Sequence, residues 1–232
     1  QYYPTDGSSL DFYALHGNFK STTFTENTTA FPTSAIVHSV EADQSNTNME
    51  AYAKSDLLYA AKKSVAHSKT AVALTFYHML SKVEVALKAG DGNPDLTGAT
   101  VTIEGTKLKA DFTPSKSATL PTDCADMVSP TTASNDVAPI TIGNATCTDF
   151  SSPTYNEAII VPQTLANGTP FIKVTLSDNA SLVYTLEAQT EFKSGKKYIY
   201  QITAKKTGLE VTSTIADWEA VGSPTAGDAV MQ

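Results

Sequence analysis

Apolar and polar residues along this chain alternate with a period of two far more often than with the three-and-four spacing of a helix. Leu10-Asp11-Phe12-Tyr13-Ala14, Ala35-Ile36-Val37-His38, Val101-Thr102-Ile103 and Leu108-Lys109-Ala110-Asp111-Phe112 show it in the first half. Ile172-Lys173-Val174-Thr175-Leu176, Leu182-Val183-Tyr184-Thr185-Leu186 and Tyr198-Ile199-Tyr200-Gln201-Ile202 show it in the second. Such segments predict strands with one face buried and the other wet. Asp91-Gly92-Asn93-Pro94, Glu104-Gly105-Thr106, Ser177-Asp178-Asn179 and Lys206-Thr207-Gly208 supply turn chemistry between them and predict hairpins. Many short strands with this punctuation define an all-β protein built as a β-sandwich.

The run from Ala71 to Lys88 switches parity. Val72, Leu74, Phe76, His78 and Leu80 share one face, whereas Val83, Val85 and Leu87 fall on the other, so a continuous strand would expose one set. A break or bulge near Ser81-Lys82 resolves the conflict. Ser55 to Lys63 reads equally as a short helix or a strand end. Residues 15 to 33 and 113 to 136 lack periodicity and read as long loops. A boundary fits best near residues 62 to 69. It divides the chain into 1–66, too small for a complete sandwich, and 67–232, a second domain with a long loop over 113–150.

Charge narrows the function classes. The chain has 24 acidic and 16 basic side chains, a net charge of −8, and no Arg, so every cation is Lys. Nucleic acid, which selects clustered cations and guanidinium forks, is a poor match. No apolar run approaches the roughly 18 residues of a membrane helix. A start at Gln1, without Met or a leader, fits a processed, exported fragment. The two cysteines, Cys124 and Cys147, lie in a Pro/Ser/Thr-rich stretch. They are a candidate disulfide worth roughly 3 kcal/mol for a loop of this size, or else two free thiols.

Candidate chemistry is sparse. No nucleophile elbow, phosphate loop, dinucleotide fingerprint or zinc-protease motif occurs, and His16, His38, His67 and His78 are scattered. His78 lies on an apolar face, where the expectation is a core histidine bonded to a backbone group. Asp91 to Gly98 imitates the start of a calcium loop. It has Leu96 where the sharp turn wants Gly and Thr102 where a bidentate Glu is required, so an ordinary hairpin loop is expected. No pair of carboxylates is placed for glycoside hydrolysis. The expectation is a non-enzyme without cofactor or metal. Tyr2, Tyr3 and Phe31 are candidates for a sugar-stacking patch.

A series of ordered patches carries more information. Tyr3-Pro4, Leu10-Asp11-Phe12-Tyr13-Ala14, Asp56-Leu57-Leu58-Tyr59-Ala60 and Leu74-x-Phe76-x-His78-x-Leu80-Ser81-Lys82-Val83-x-Val85 come first. Val161-Pro162-Gln163-Thr164, Phe192-x-x-Gly195-Lys196-x-Tyr198-x-Tyr200-x-Ile202 and Ile215-x-x-Trp218 follow in order. Together they resemble the fimbrillin-like proteins of Bacteroidales, which build type V pili. On that resemblance Phe76, Leu80 and Val83 supply core, and Pro162 ends a strand. Gly195-Lys196 turns into the strand of Tyr198 and Tyr200, and Trp218 plugs the sandwich.

The resemblance implies two transthyretin-like (Ig-like, Greek-key) sandwich domains, with residues 1–66 the closing part of an incomplete N-terminal one. It implies export as a lipoprotein precursor, with membrane contact only through a lipid anchor later removed, and residence in a fimbrium at the outer membrane. It further implies a structural subunit or tip adhesin, whose partners are other pilus subunits joined by donor-strand exchange and a surface receptor or glycan. In the tail, Ala226, Asp228 and Val230 share one parity and form a candidate donor strand. A surface glycan-binding β-sandwich lipoprotein is the alternative.

Overall fold

Each period-two segment falls on a strand in the computed structural model, which describes residues 4–19, 31–32, 34–45, 48–144 and 146–219. In chain order the strands are β1 (Leu10–His16), β2 (Ile36–Ser39), β3 (Leu58–Val65), β4 (Tyr77–His78), β5 (Ser81–Ala89), β6 (Thr100–Ile103), β7 (Lys109–Phe112) and β8 (Val128–Pro130). They continue with β9 (Ile140–Ile142), β10 (Asn156–Ile160), β11 (Gln163–Leu165), β12 (Pro170–Thr175), β13 (Ser181–Thr185), β14 (Thr190–Phe192), β15 (Lys196–Lys205) and β16 (Gly208–Asp217). One α-helix, α1 (Met49–Ser55), is present among the described residues.

Two four-stranded sheets, β10-β5-β15-β16 and β13-β12-β6-β9, form the sandwich. In the first, β5 and β15 run parallel, so Val83, Val85 and Leu87 lie beside Tyr198, Tyr200 and Ile202 on the inner face. The register of β12 against β13 shifts between Pro170 and Ile172, and both Phe171 and Ile172 are buried at that irregularity. Phe171 meets Tyr200 at 5.5 Å and Phe192 at 4.9 Å, while Tyr200 meets Tyr184 at 6.1 Å and Phe192 meets Tyr198 at 4.7 Å. This chain of rings crosses the layer between the sheets, and each ring adds large apolar area to the core.

Residues 42–44 close one side of the sandwich. Their backbone bonds Thr141 of β9, with Thr141 N–H donating to Ala42 O at 2.7 Å and Gln44 N–H to Thr141 O at 2.8 Å. The buried Gln44 side chain reaches the other sheet. Its Oε1 accepts from Ile159 N–H at 2.8 Å and its Nε2 donates to Ile159 O at 2.9 Å. One primary amide thus replaces a missing strand at the edge of β10.

Three smaller sheets, β1-β3-β4, β2-β7-β8 and β11-β14, complete the fold. They correct several expectations. The boundary at residue 66 does not divide the core: β2 pairs with β7, and Val40, Leu57 and Tyr59 belong to the same buried cluster as Val83 and Phe171. The expected loop over 113–150 contains β8 and β9, which extend two sheets. The turns at 177–179 and 206–208 are hairpins, but those at 91–94 and 104–106 join strands of different sheets, because turn chemistry fixes a reversal and not the partner. Ser55–Lys63 takes the strand alternative, with only Ser55 belonging to the preceding helix. Asn48 caps it through Ala51 N–H, Glu50 pairs with Lys54, and Ser55 Oγ folds back onto Ala51 O at 2.8 Å. Burial of Tyr59 and Ala60 on β3 decides the following residues for strand.

Gln44→Ala leaves the N–H and C=O of Ile159 without that partner. It is expected to destabilise the fold by about 2–3 kcal/mol, read as a lower urea midpoint; an unchanged midpoint would show that the side-chain bridge is dispensable. Burial pushes the Tyr59 hydroxyl, which donates to Ser115 O at 3.2 Å, up to about 12 and raises Tyr200 also. A raised phenol favours the protonated native state, so this stability is complete below the unfolded value of about 10 and is lost as pH climbs through the folded one. Melting temperature should therefore fall more steeply above pH 10 in the parent than in Tyr59→Phe.

Candidate functional site

The Leu80-to-Trp218 connection shapes a cleft lined by aromatic, acidic and basic side chains. Gly195, at φ +68°, donates its N–H to Leu80 O and accepts from Trp218 N–H, each at 2.9 Å. That positive φ suits glycine in the turn into β15. The two bonds bring the end of β16 against β4, and the Trp218 indole lies flat on the His78 imidazole, with centroids 3.6 Å apart and planes 9° apart. His78 Nδ1 lies 3.0 Å from the Asp56 carboxylate. The buried imidazole is therefore held by a side chain and an aromatic face, not by the backbone group expected. That role falls to His38, which accepts Asn18 N–H at Nδ1 and donates from Nε2 to Ser55 O.

Beside this stack, on the sheet face opposite the aromatic core, lies a charge network. Glu84 of β5 stands directly across from Glu157 of β10, an unfavourable like-charge pair by itself. Lys82 Nζ lies 2.7 Å from Glu84 and 3.1 Å from Glu157, and Lys197 Nζ lies 3.7 Å from Glu84. Tyr52 of α1 donates to Glu157 Oε2 at 2.6 Å. Burial works against the Lys82 charge, but the hydrogen bond it donates to Glu84 and the charges of both carboxylates outweigh it, so its pKa is raised. Burial and the bond to Glu157 push the Tyr52 hydroxyl up as well. Lys82 Nζ also stands 5.7 Å from the centre of the Trp218 ring. Tyr52, Asp56, His78, Lys82, Lys197, Trp218 and the exposed Glu219 line a cleft of about 610 Å³, with Glu84 and Glu157 behind the two lysines.

The other expected residues lie elsewhere. Leu80 and Val83 are in the core, but Phe76 is half-buried outside the buried cluster, since the chain bends before β5 brings its apolar face inward. Trp218 is half-buried over His78 and does not plug the space between the sheets. Pro162 is buried between β10 and β11. Tyr198 and Tyr200 are in the interlayer ring chain, Tyr198 also donating its hydroxyl to Glu191 O at 2.7 Å. Phe31 packs edge-on against Tyr13 at 4.9 Å, under the Lys116 ammonium. Tyr2, Tyr3 and the tail residues Ala226, Asp228 and Val230 lie outside the described residues.

The cysteines are free thiols, the second of the two alternatives. Cys124 is buried beside the turn over Ala125–Met127, whereas Cys147 donates its N–H to Leu87 O at the far end of β5. Asp91 to Gly98 carries an ordinary turn in which Asp95 Oδ1 accepts Thr97 N–H. Among the described residues no group of three or more His, Cys, Asp or Glu could hold a metal ion.

Sequence reasoning missed Tyr52, Glu157 and Lys197 because they lie on three separate elements. Lys82-x-Glu84, opposite charges on the polar parity of β5, is the one local signal that the sequence carries for this network.

Sheets, edges and cleft together define an all-β sandwich. The chain belongs to the fimbrillin-like family, whose model matches residues 1–218. Two solved structures share the fold. A candidate cell adhesion protein of Bacteroides uniformis is 22% identical with a TM-score of 0.64, over 94% of this chain and 76% of its own. Another from Bacteroides ovatus is 15% identical with a TM-score of 0.63, over 92% and 69%. No curated protein matches. The family supports a role as a pilus subunit or adhesin at the cell surface.

Burial and the neighbouring Asp123 charge push the Cys124 thiol up to about 11. At pH 8 a thiol reagent should modify Cys147 quickly and Cys124 roughly tenfold or more slowly, with both reacting after unfolding. A mass lower by two hydrogens, and no reactive thiol in denaturant, would restore the bridge.

Proposed function

We propose that this chain is a non-enzymatic fimbrial subunit, of shaft or tip, that polymerises by donor-strand exchange and places an adhesive surface outside the cell. Membership of the fimbrillin-like family across residues 1–218 is the observation that carries the reading. The edges of the fold support it. Among the described strands β16 pairs only with β15 and β1 only with β3, so both present an outer row of backbone groups to an incoming strand. Main-chain hydrogen bonds would then give affinity, and alternate side chains would set register. The ten-residue β16 exposes Thr212, Ser213, Thr214 and Ile215, a mostly polar edge that resists casual aggregation.

On this reading the protein is exported as an outer-membrane lipoprotein precursor. The tail with Ala226, Asp228 and Val230 is the donor. The trimmed protein should form fibres visible by negative-stain electron microscopy, and deleting residues 222–232 should abolish them. A correctly trimmed product that stays monomeric defeats the shaft reading, and fibres that survive the deletion defeat the assignment of the donor.

A further inference from the structure

From the cleft beneath Trp218 we infer a binding site for an uncharged saccharide, formed by Tyr52, Asp56, His78, Lys82, Lys197 and Trp218. The inference rests on the adhesin reading above and names the chemistry that such an adhesin would recognise. Its first support is electrostatic. Lys82 pairs with Glu84 and Glu157, Lys197 shares Glu84, and Asp56 is hydrogen-bonded to His78. An anionic ligand would meet the Asp56 and Glu219 carboxylates that line the cleft, and a cationic one the two ammonium groups. An uncharged polyol meets neither obstacle. Its hydroxyls can donate to carboxylate oxygens and accept from ammonium groups while every ion pair stays in place.

The second support is geometric. Sugars have C–H faces that settle on aromatic surfaces, and Trp218 lines the cleft as the upper member of a rigid stack fixed through Gly195. The polar groups are equally fixed: Lys82 is 11% exposed and Lys197 24%, and Tyr52 is tied to Glu157. Binding therefore has little side-chain freedom to remove. A volume of about 610 Å³ lies within the usual range of small-molecule sites, about 300–1,000 Å³. The combination of one indole, paired charges and shallow access suits one or two sugar rings at the end of a chain.

Trp218 is the sole tryptophan of the sequence, so its emission reports on this cleft alone. The full chain should be titrated with lactose, N-acetyllactosamine, mannobiose and maltotriose, with sialyllactose as the anionic comparison. At least one uncharged sugar should change the emission saturably. Lys197→Ala, which removes the most weakly paired cation, should weaken that sugar at least tenfold while leaving the melting temperature near that of the parent. Trp218→Phe, followed by calorimetry, should lose binding to a similar extent. No response to any uncharged sugar, a preference for sialyllactose, or binding indifferent to both substitutions overturns the inference. Fibre formation by the same preparation would leave the assembly reading standing if sugar binding failed.

Discussion

The parallel pairing of β5 with β15 is the constraint on which both sandwich and cleft depend. It sets Val83, Val85 and Leu87 beside Tyr198, Tyr200 and Ile202 on one face, and Lys82 beside Lys197 on the other. A parallel pair cannot be joined by a tight turn, so the chain must cross to the second sheet and return between the two strands. That excursion contributes β6, β9, β12 and β13, the sheet against which the inner face packs. The same register ends where Gly195 bonds to Leu80 and Trp218, so the alignment that builds the core also delivers the indole to His78.

The two faces of β5 solve different problems. Its inner face is apolar and completes a ring-lined core. On its outer face Glu84 is nearly as buried, which is costly for a charge unless it is matched. Two lysines on neighbouring positions share that carboxylate, and Lys82 also reaches Glu157, so the like-charge pair across β5 and β10 becomes part of an alternating network. The arrangement fixes long side chains that would otherwise roam. A surface with ordered, internally balanced charges next to an aromatic stack differs from an ordinary solvated sheet face.

Much of this was legible in the chain. Period-two alternation located the principal strands, and the parity switch between Leu80 and Val83 located the bend before β5. What escaped had physical reasons. The strand β16 is too exposed to alternate, since Thr212, Ser213 and Thr214 face solvent on both sides of the pleat. Short β8 and β9 hide in a proline-containing stretch, where pairing with neighbouring strands outweighs weak local preference. Trp218 was legible as a marker but not as a cover for His78, because its place depends on two backbone bonds to a glycine twenty-three residues earlier. Gln44 offered no signal at all: its amide acts only once β9 and β10 are already side by side.

Edge control connects the fold with assembly. A sandwich has two open sides, and here they are treated unequally. On one, the backbone of residues 42–44 bonds the edge of β9, while the Gln44 amide bonds the edge of β10. The described residues provide no such strap along β16, the edge strand at the other end of the β10-β5-β15-β16 sheet. Had both edges been capped, strand addition would require local unfolding; had both been open and apolar, the subunits would aggregate without register. One strapped edge and one long, Thr-rich edge would make the proposed addition directional. Trp218 lies at the carboxyl end of that open strand, so the chain beyond it starts from the rim of the cleft. A strand added along β16 and a ligand held under Trp218 would therefore occupy adjoining parts of one surface, the first engaging backbone and the second side chains.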